Sequence, residues 1–300
     1  MHFDIYVALA GLIVGFAVGL TGMGGGALMT PVLVLLFNVA PLAAISSDLV
    51  ASLIMKPVGA AVHASKRTVQ WPLVKWLAIG SVPSAFFGVV FLRFIGHGKT
   101  LQNAVGVALG AVLLVAVAAL VAKTLIDRRR DQRFGAGSEG EPLRLRRAPT
   151  LAIGATIGFI VGITSVGSGT LVIVLLLFLY PRLRGSQTVG TDLVQAIPMV
   201  GAAAIAHILF GDFALGLTLS IVAGSIPGVL IGSTISSRAP TGAIRAALSV
   251  VLVLSGLKLI NVPTLGIGIA LLAAVALVPA AWWLSRVRRR MPRMDVIAAA

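Results

Sequence analysis

The sequence predicts an all-α, polytopic membrane protein built from two inverted repeats with broken or re-entrant helices. Three observations carry this reading: long apolar runs, two halves that repeat each other, and basic residues gathered on one side of the expected spans. Of 300 residues, 58% are hydrophobic and 11% charged, against about 25% charged in a soluble domain. A spanning helix takes roughly 20 apolar residues to cross about 30 Å of hydrocarbon. The apolar runs far exceed the roughly ten-residue alternating strands of a barrel, so helices are expected.

Apolar segments near 5–37, 42–64, 71–94 and 101–125 form a first membrane repeat over 1–125. The first twenty residues lack a basic start and run on into further apolar sequence, so they read as a structural segment rather than a cleaved signal peptide. A polar stretch at 126–148 follows, with Arg128, Arg129, Arg130, Arg133, Arg144, Arg146 and Arg147, and reads as a basic cytoplasmic linker. A second repeat covers 149–260 with segments near 149–180, 186–210, 213–235 and 242–260. An extra transmembrane helix is expected at 261–285 and a basic cytoplasmic tail at 286–300. Trp71, Trp76, Trp282 and Trp283 lie near segment ends, where amphipathic rings favour the headgroup layer.

The net charge of +15 would suggest nucleic acid in a soluble protein. Here the basic residues sit in short clusters between apolar runs, as cytoplasmic flanks do, so no nucleic-acid partner is expected. The chain has no cysteine, which excludes disulfides, thiolate metal sites and thiol chemistry. No metal and no cofactor are expected.

The internal repeat is the strongest signal. Gly11, Gly15, Gly19, Thr21, Gly24 and Gly26 recur 143 positions on as Gly154, Gly158, Gly162, Thr164, Gly167 and Gly169. After a one-residue insertion the offset becomes 144: Asp48-Leu49-Val50 recurs as Asp192-Leu193-Val194, His63 as His207, and Gly80, Ser81, Pro83 and Gly88 as Gly224, Ser225, Pro227 and Gly232. Glycine spacing alone is common in membrane helices, but the continued match through Asp, His and Pro marks a duplication.

Segments 5–37 and 149–180 are too long for one simple crossing, and both are interrupted by the glycine motif. If each enters and leaves on the same face, Lys66, Arg67, the linker arginines, Arg182, Arg184, Arg238, Arg245 and the tail arginines share one side. Arg93 and Lys99 are left on the other, with Lys258 near its edge. That is the asymmetry of the positive-inside rule. Three full crossings then follow each broken segment, so the second copy is inverted and the N-terminus is periplasmic.

Inverted repeats with unwound segments near the midplane are a recurring layout of secondary transporters. The breaks are Thr21-Gly22-Met23-Gly24-Gly25-Gly26 and Thr164-Ser165-Val166-Gly167-Ser168-Gly169-Thr170. A helix restarting after each presents unpaired N–H groups and a positive dipole end, which suits an anion. Thr21, Thr164, Ser165, Ser168 and Thr170 add hydroxyls, while Gly22, Gly24, Gly25, Gly26, Gly167 and Gly169 let a ligand approach the backbone. The bland alternative is that the glycines serve helix packing and the hydroxyls bond nearby carbonyls.

Ionisable residues inside spans are costly and mark function by default. Asp48 and Asp192 are candidates to carry a coupling proton, with Asp192 preferred for having no nearby lysine; either could instead cap a helix start. Lys56, aligned with Val200, could attract an anion or neutralise Asp48. His63 and His207 sit at segment ends, where interfacial bonding is the expected role. Ser168 with His207 could pose as a serine–histidine dyad. The aligned Gly25 keeps the frame without a nucleophile, so no enzymatic activity is expected.

The paired glycine motifs, Pro31, Pro41 leading to Ala44, the Ser46-Ser47-Asp48 stretch and the basic linker together resemble the TauE/SafE family of sulfite and organosulfur exporters. The resemblance covers nearly the whole chain. It implies a permease of the bacterial inner (plasma) membrane that moves a small sulfur-containing anion such as sulfite or a sulfonate. Ser168 departs from the first motif at Gly25, so substrate identity does not transfer directly. No ATP-binding domain is encoded, which implies an ion gradient, preferably of protons, or passive flux. The expected partners are the anion and the lipid bilayer, with a homodimer left open. The alternatives are an anion channel or a non-transport intramembrane protein.

Overall fold

A computed structural model describes residues 3–21, 25–96, 98–134, 144–183, 185–210, 213–235, 241–263, 265, 266 and 268. Among them every regular element is a helix: α1 (Ile5–Thr21), α2 (Gly26–Leu36), α3 (Pro41–Ser65), α4 (Trp71–Ile95), α5 (Lys99–Phe134), α6 (Arg147–Thr164), α7 (Thr170–Leu179), α8 (Gly185–Phe210), α9 (Leu215–Ile235) and α10 (Thr241–Leu259). The bulk of the expected extra helix at 261–285 and the tail at 286–300 lie outside the described residues.

Both long segments are broken at the glycine motifs, α1 from α2 and α6 from α7. The second break is visible residue by residue. Ser165 turns into the left-handed region at φ 59° and returns its N–H to the Val161 carbonyl at 2.8 Å. Gly167 and Gly169 then adopt φ 128° and 101°, which side-chain-bearing residues rarely reach. Thr164 holds the turn: its hydroxyl bonds the Ile160 carbonyl at 2.7 Å and the Val166 carbonyl at 3.2 Å.

The second segment turns back on itself. The Arg146 N–H, at the start of α6, donates to the Tyr180 hydroxyl at 2.9 Å, and Thr150 shares a 2.6 Å hydrogen bond with the same hydroxyl. Tyr180 directly follows α7, so the segment ends beside the place where it began.

Packing between the halves is reciprocal. α1 runs along α9 and α6 along α4, while α3 packs on α8 and α5 on α10. The glycines of the repeat make the first two contacts close. A Cβ on Gly15 would stand 2.5 Å from the Ser225 carbonyl oxygen, and one on Gly88 2.7 Å from that of Phe159. Gly11 and Gly19 likewise face the α9 backbone, and Gly154, Gly158 and Gly162 the α4 backbone. Glycines ahead of each break are therefore helix-packing residues, because lipid supplies no hydrophobic drive and close backbone approach must replace it.

α4, α5, α6, α8 and α9 are long and apolar enough to cross a membrane. α3 has 25 residues but carries Ser46, Ser47, Asp48, Ser52 and Lys56. Large apolar side chains face outward, Ile13 being 69% and Phe94 80% exposed, as a lipid-facing surface requires. One boundary differs from expectation. Helix α5 continues to Phe134, into the stretch read as linker, because 126–134 holds no glycine or proline to stop it.

Candidate functional site

The start of α2 meets the second break. A Cβ on Gly26 would overlap the Ser165 backbone, so the start of α2 lies directly against the end of α6. Asp48 of α3 ties both together: the Thr30 hydroxyl of α2 donates to its Oδ2 at 3.2 Å, and Ser165 donates to the same oxygen at 2.5 Å. Two turns into α3, the Asp48 side chain bonds neighbouring helices and not the start of its own, so it is not a helix cap.

Asp48, Ser52 and Lys56 recur every four residues and share one face of α3. Lys56, only 8% exposed, reaches across to donate to Ser168 Oγ at 2.9 Å. Ser52 is 5% exposed. It sits 3.8 Å from where a Gly25 Cβ would be, with the Met55 methyl at 3.9 Å.

Asp192 lies two turns into α8, and its partners differ in kind from those of Asp48. The Gln195 amide donates to it at 3.2 Å, with the Gly169 backbone beside it, and Ser81 holds Gln195 in place from α4 at 3.2 Å. Asp192 thus lies beside the start of α7, the next helix back in the chain. Lys56 lies within electrostatic reach of Asp192 as well as of Asp48, and Lys123 adds a further positive charge. The expectation that Asp192 has no nearby lysine is therefore corrected: α3 packs on α8, and that contact brings in a lysine invisible along α8 itself.

His207 is also not where its position in the sequence suggested. It is fully buried, with Nδ1 2.8 Å from Ser46 Oγ and Nε2 2.8 Å from the Gly162 carbonyl. The carbonyl can only accept, so Nε2 carries a proton. The ring pins α8 to α3 and α6 and makes no dyad with Ser168, whose hydroxyl serves Lys56. The side chain of His63 lies outside the described residues.

Of the residues singled out from sequence, Gly25, Gly26, Thr164, Ser165, Gly167, Ser168, Gly169, Thr170, Asp48, Lys56 and Asp192 all fall at or beside the junction of the breaks. Gly22 and Gly24 lie outside the described residues, as does the side chain of Thr21. The Thr164 proton is committed to the chain's own carbonyls. Thr30, Ser52, Ser81 and Gln195 were not anticipated. Gln195, three residues after Asp192 in an apolar span, carried a usable signal; lone hydroxyls in membrane helices carry little.

The family model described as sulfite exporter TauE/SafE matches residues 7–259. The chain is 40% identical over 259 residues to the probable membrane transporter protein YjnA of Bacillus subtilis (strain 168), covering 86% of this chain and all of that one. It is 25% identical over 276 residues to the probable membrane transporter protein YunE of the same organism, covering 87% of this chain and 98% of that one. No solved structure matches.

Proposed function

The chain belongs to the sulfite exporter TauE/SafE family, and from that premise we propose that it is a secondary transporter for a small sulfur-containing anion such as sulfite or a sulfonate. It is a multi-pass membrane protein of a transporter family, not an enzyme. The observation that carries the substrate charge is Lys56: a lysine more than nine-tenths buried, aimed at the junction of two helix breaks. Asp48 and Asp192 hold this ammonium in place, and it remains a donor for an anion that arrives with a proton. The restarted helix ends add fixed positive potential at the same place. An anion channel, the second reading, lacks a comparable observation in its favour.

Coupling to protons follows from the charge balance. The three buried ionisable side chains Asp48, Asp192 and Lys56, all ionised, sum to −1 before the part-buried Lys123 is counted, and an arriving anion adds a further negative charge. Anion binding therefore draws a proton onto a carboxylate, and by reciprocity protonation favours the anion. Asp48 is the carrier in this reading. Its hydroxyl partners, Thr30 and Ser165, can rotate from donor to acceptor when the carboxyl gains a proton. Around Asp192 the Gln195 amide and the Lys56 ammonium offer no such acceptor, so the hydroxyl pair at Asp48 is the feature that favours it as carrier.

The inverted relation of the halves, a cytoplasmic 126–148 linker and residence in the bacterial inner membrane complete the proposal. The reciprocal packing and the returning α6–α7 segment support it. Proteoliposome uptake of sulfite, thiosulfate, sulfate, sulfoacetate and taurine tests it. Saturable uptake of a sulfur anion is expected, whereas flux that never saturates would mean a channel.

A further inference from the structure

Each contact between helices has a counterpart in the other half of the repeat. The glycine-packed pairs are held in both halves. The Asp4 N–H, just ahead of α1, donates to Ser220 of α9 at 2.8 Å, and at the matching positions the Arg147 guanidinium of α6 stands 5.6 Å over the Trp76 ring of α4. The next pair is held in one half only. α8 is tied to α4 twice: the Gln70 N–H, at the head of α4, donates to the Thr191 hydroxyl at 3.0 Å, and Ser81 donates to Gln195 at 3.2 Å. The counterpart is the contact of α3 with α9. There Ala51 replaces Gln195, and Ser225, which matches Ser81, turns back to the Ile221 carbonyl of its own helix at 2.6 Å.

Ser47 matches Thr191, and Ala214, at the head of α9, matches Gln70. Their bond is not made. Ser47 is fully buried, and its Oγ has no hydrogen-bond partner, the one such side-chain atom among the described residues. Buried hydroxyls are normally bonded, so an unspent one is expected to serve in another arrangement. The start of α3 is otherwise held. The Leu42 N–H donates to Gln102 of α5 at 3.0 Å, and Ser46 is bonded to His207 of α8. Ser47 lies between Ala44 and Ala51, which share a core cluster with Leu217 and Ile221 of α9.

We propose that the two hydroxyls are paired latches of the transport cycle. Thr191 with Gln70 closes one entrance in this structure, and Ser47 closes the other by accepting the Ala214 N–H in the opposite state. This rests on the transport reading and on its inverted halves. In that topology α4 and α8 begin on the cytoplasmic side, α3 and α9 on the periplasmic side, so the cytoplasmic latch is made and the periplasmic one is open. Inverted halves that differ in conformation exchange roles when access alternates. One N–H bond gained for one lost keeps the two states close in energy. The Ser81–Gln195 bond has nothing to be exchanged for, which biases the resting chain toward a closed cytoplasmic side.

The chain has no cysteine, so cysteine pairs in the full chain in proteoliposomes test this cleanly. Under mild oxidant without substrate, Gln70→Cys/Thr191→Cys should cross-link and Ser47→Cys/Ala214→Cys should do so little. Sulfite with an inward proton gradient should raise the second several-fold and lower the first. Adding Thr191→Ala to Ser47→Cys/Ala214→Cys should raise its cross-linking about threefold to tenfold without sulfite, since the opposing state loses one hydrogen bond. Thr191→Val serves where the smaller side chain fails to fold. Cross-linking of both pairs alike and independent of sulfite, or no response to the Thr191 variant, in a chain that takes up sulfite would overturn the latches and leave transport standing. No saturable uptake of sulfite, thiosulfate or sulfoacetate by the wild-type chain would overturn the transport reading and the latches together.

Discussion

Lys56 Nζ donates to Ser168 Oγ at 2.9 Å, and each of these residues departs from the internal repeat. Val200 stands where a second lysine would be, and Gly25 where a first serine would be. A duplication begins with two equal halves, so two departures that touch each other point to one specialised place. In the transport reading that place holds the substrate charge.

Removing the lysine should be felt both in binding and in folding. Lys56→Met is expected to weaken anion binding by about 1.5–3 kcal/mol, the range for a hydrogen bond to a charged group. It should also destabilise the fold by about 3–5 kcal/mol, since Asp192 loses its buried counter-charge. The double variant Lys56→Met/Asp192→Asn should recover much of the stability and none of the binding. Thermal unfolding and calorimetry on the two variants separate the effects. Recovered binding in the double variant would remove Lys56 from the site.

The two carboxylates are expected to behave differently. Asp48→Asn should uncouple anion flux from the proton gradient while leaving anion binding measurable, because Thr30 and Ser165 can still bond the amide oxygen. In Asp192→Asn the Gly169 N–H meets a weaker acceptor and Lys56 an unbalanced charge, so stability should fall by about 1–3 kcal/mol with coupling retained. Proton movement driven by an anion gradient, followed by a pH-sensitive dye in proteoliposomes, distinguishes them. Intact coupling in Asp48→Asn would return the carrier role to Asp192.

The glycines ahead of the breaks should tolerate almost nothing. Gly224 faces the Ala8 backbone and Gly154 the Leu77 backbone with no space for a side chain. Gly154→Leu or Gly224→Leu should separate the helices and cost at least about 3 kcal/mol, the upper range for overpacking. Loss of folded protein on size-exclusion chromatography is the expected result. Well-folded Gly154→Leu would show that α4 and α6 are not in close contact.

Topology gives an independent check. Cysteines at Ser138 and at Ala299 should resist an impermeant thiol reagent applied to cells with a permeabilised outer membrane, while one placed before His2 should react. The charge asymmetry of the loops motivates all three. Labelling at Ala299 would break the inverted arrangement of the halves.

Much of this protein is legible along the chain. The separation of α1 from α2 and the break at Gly167–Gly169 follow from runs of residues that cannot sustain a helix, and the repeat from an offset of 143 that becomes 144 before Asp48 and Asp192. What is not legible is which helices touch. Asp192 has a lysine neighbour because α3 packs on α8, and His207 is buried because Ser46 and Gly162 converge on it from distant segments. Both were misjudged from their own segments alone. Ser52 is an ordinary hydroxyl in the sequence. Only its place beside Gly25 sets it apart.

The most direct test of the central claim is sulfite uptake into proteoliposomes of the full chain, with an inward proton gradient imposed and then collapsed. The account predicts saturable uptake that rises with the gradient and disappears in Lys56→Met/Asp192→Asn. Saturable uptake of unchanged size in that variant, or none for any sulfur anion in the wild-type protein, would contradict it.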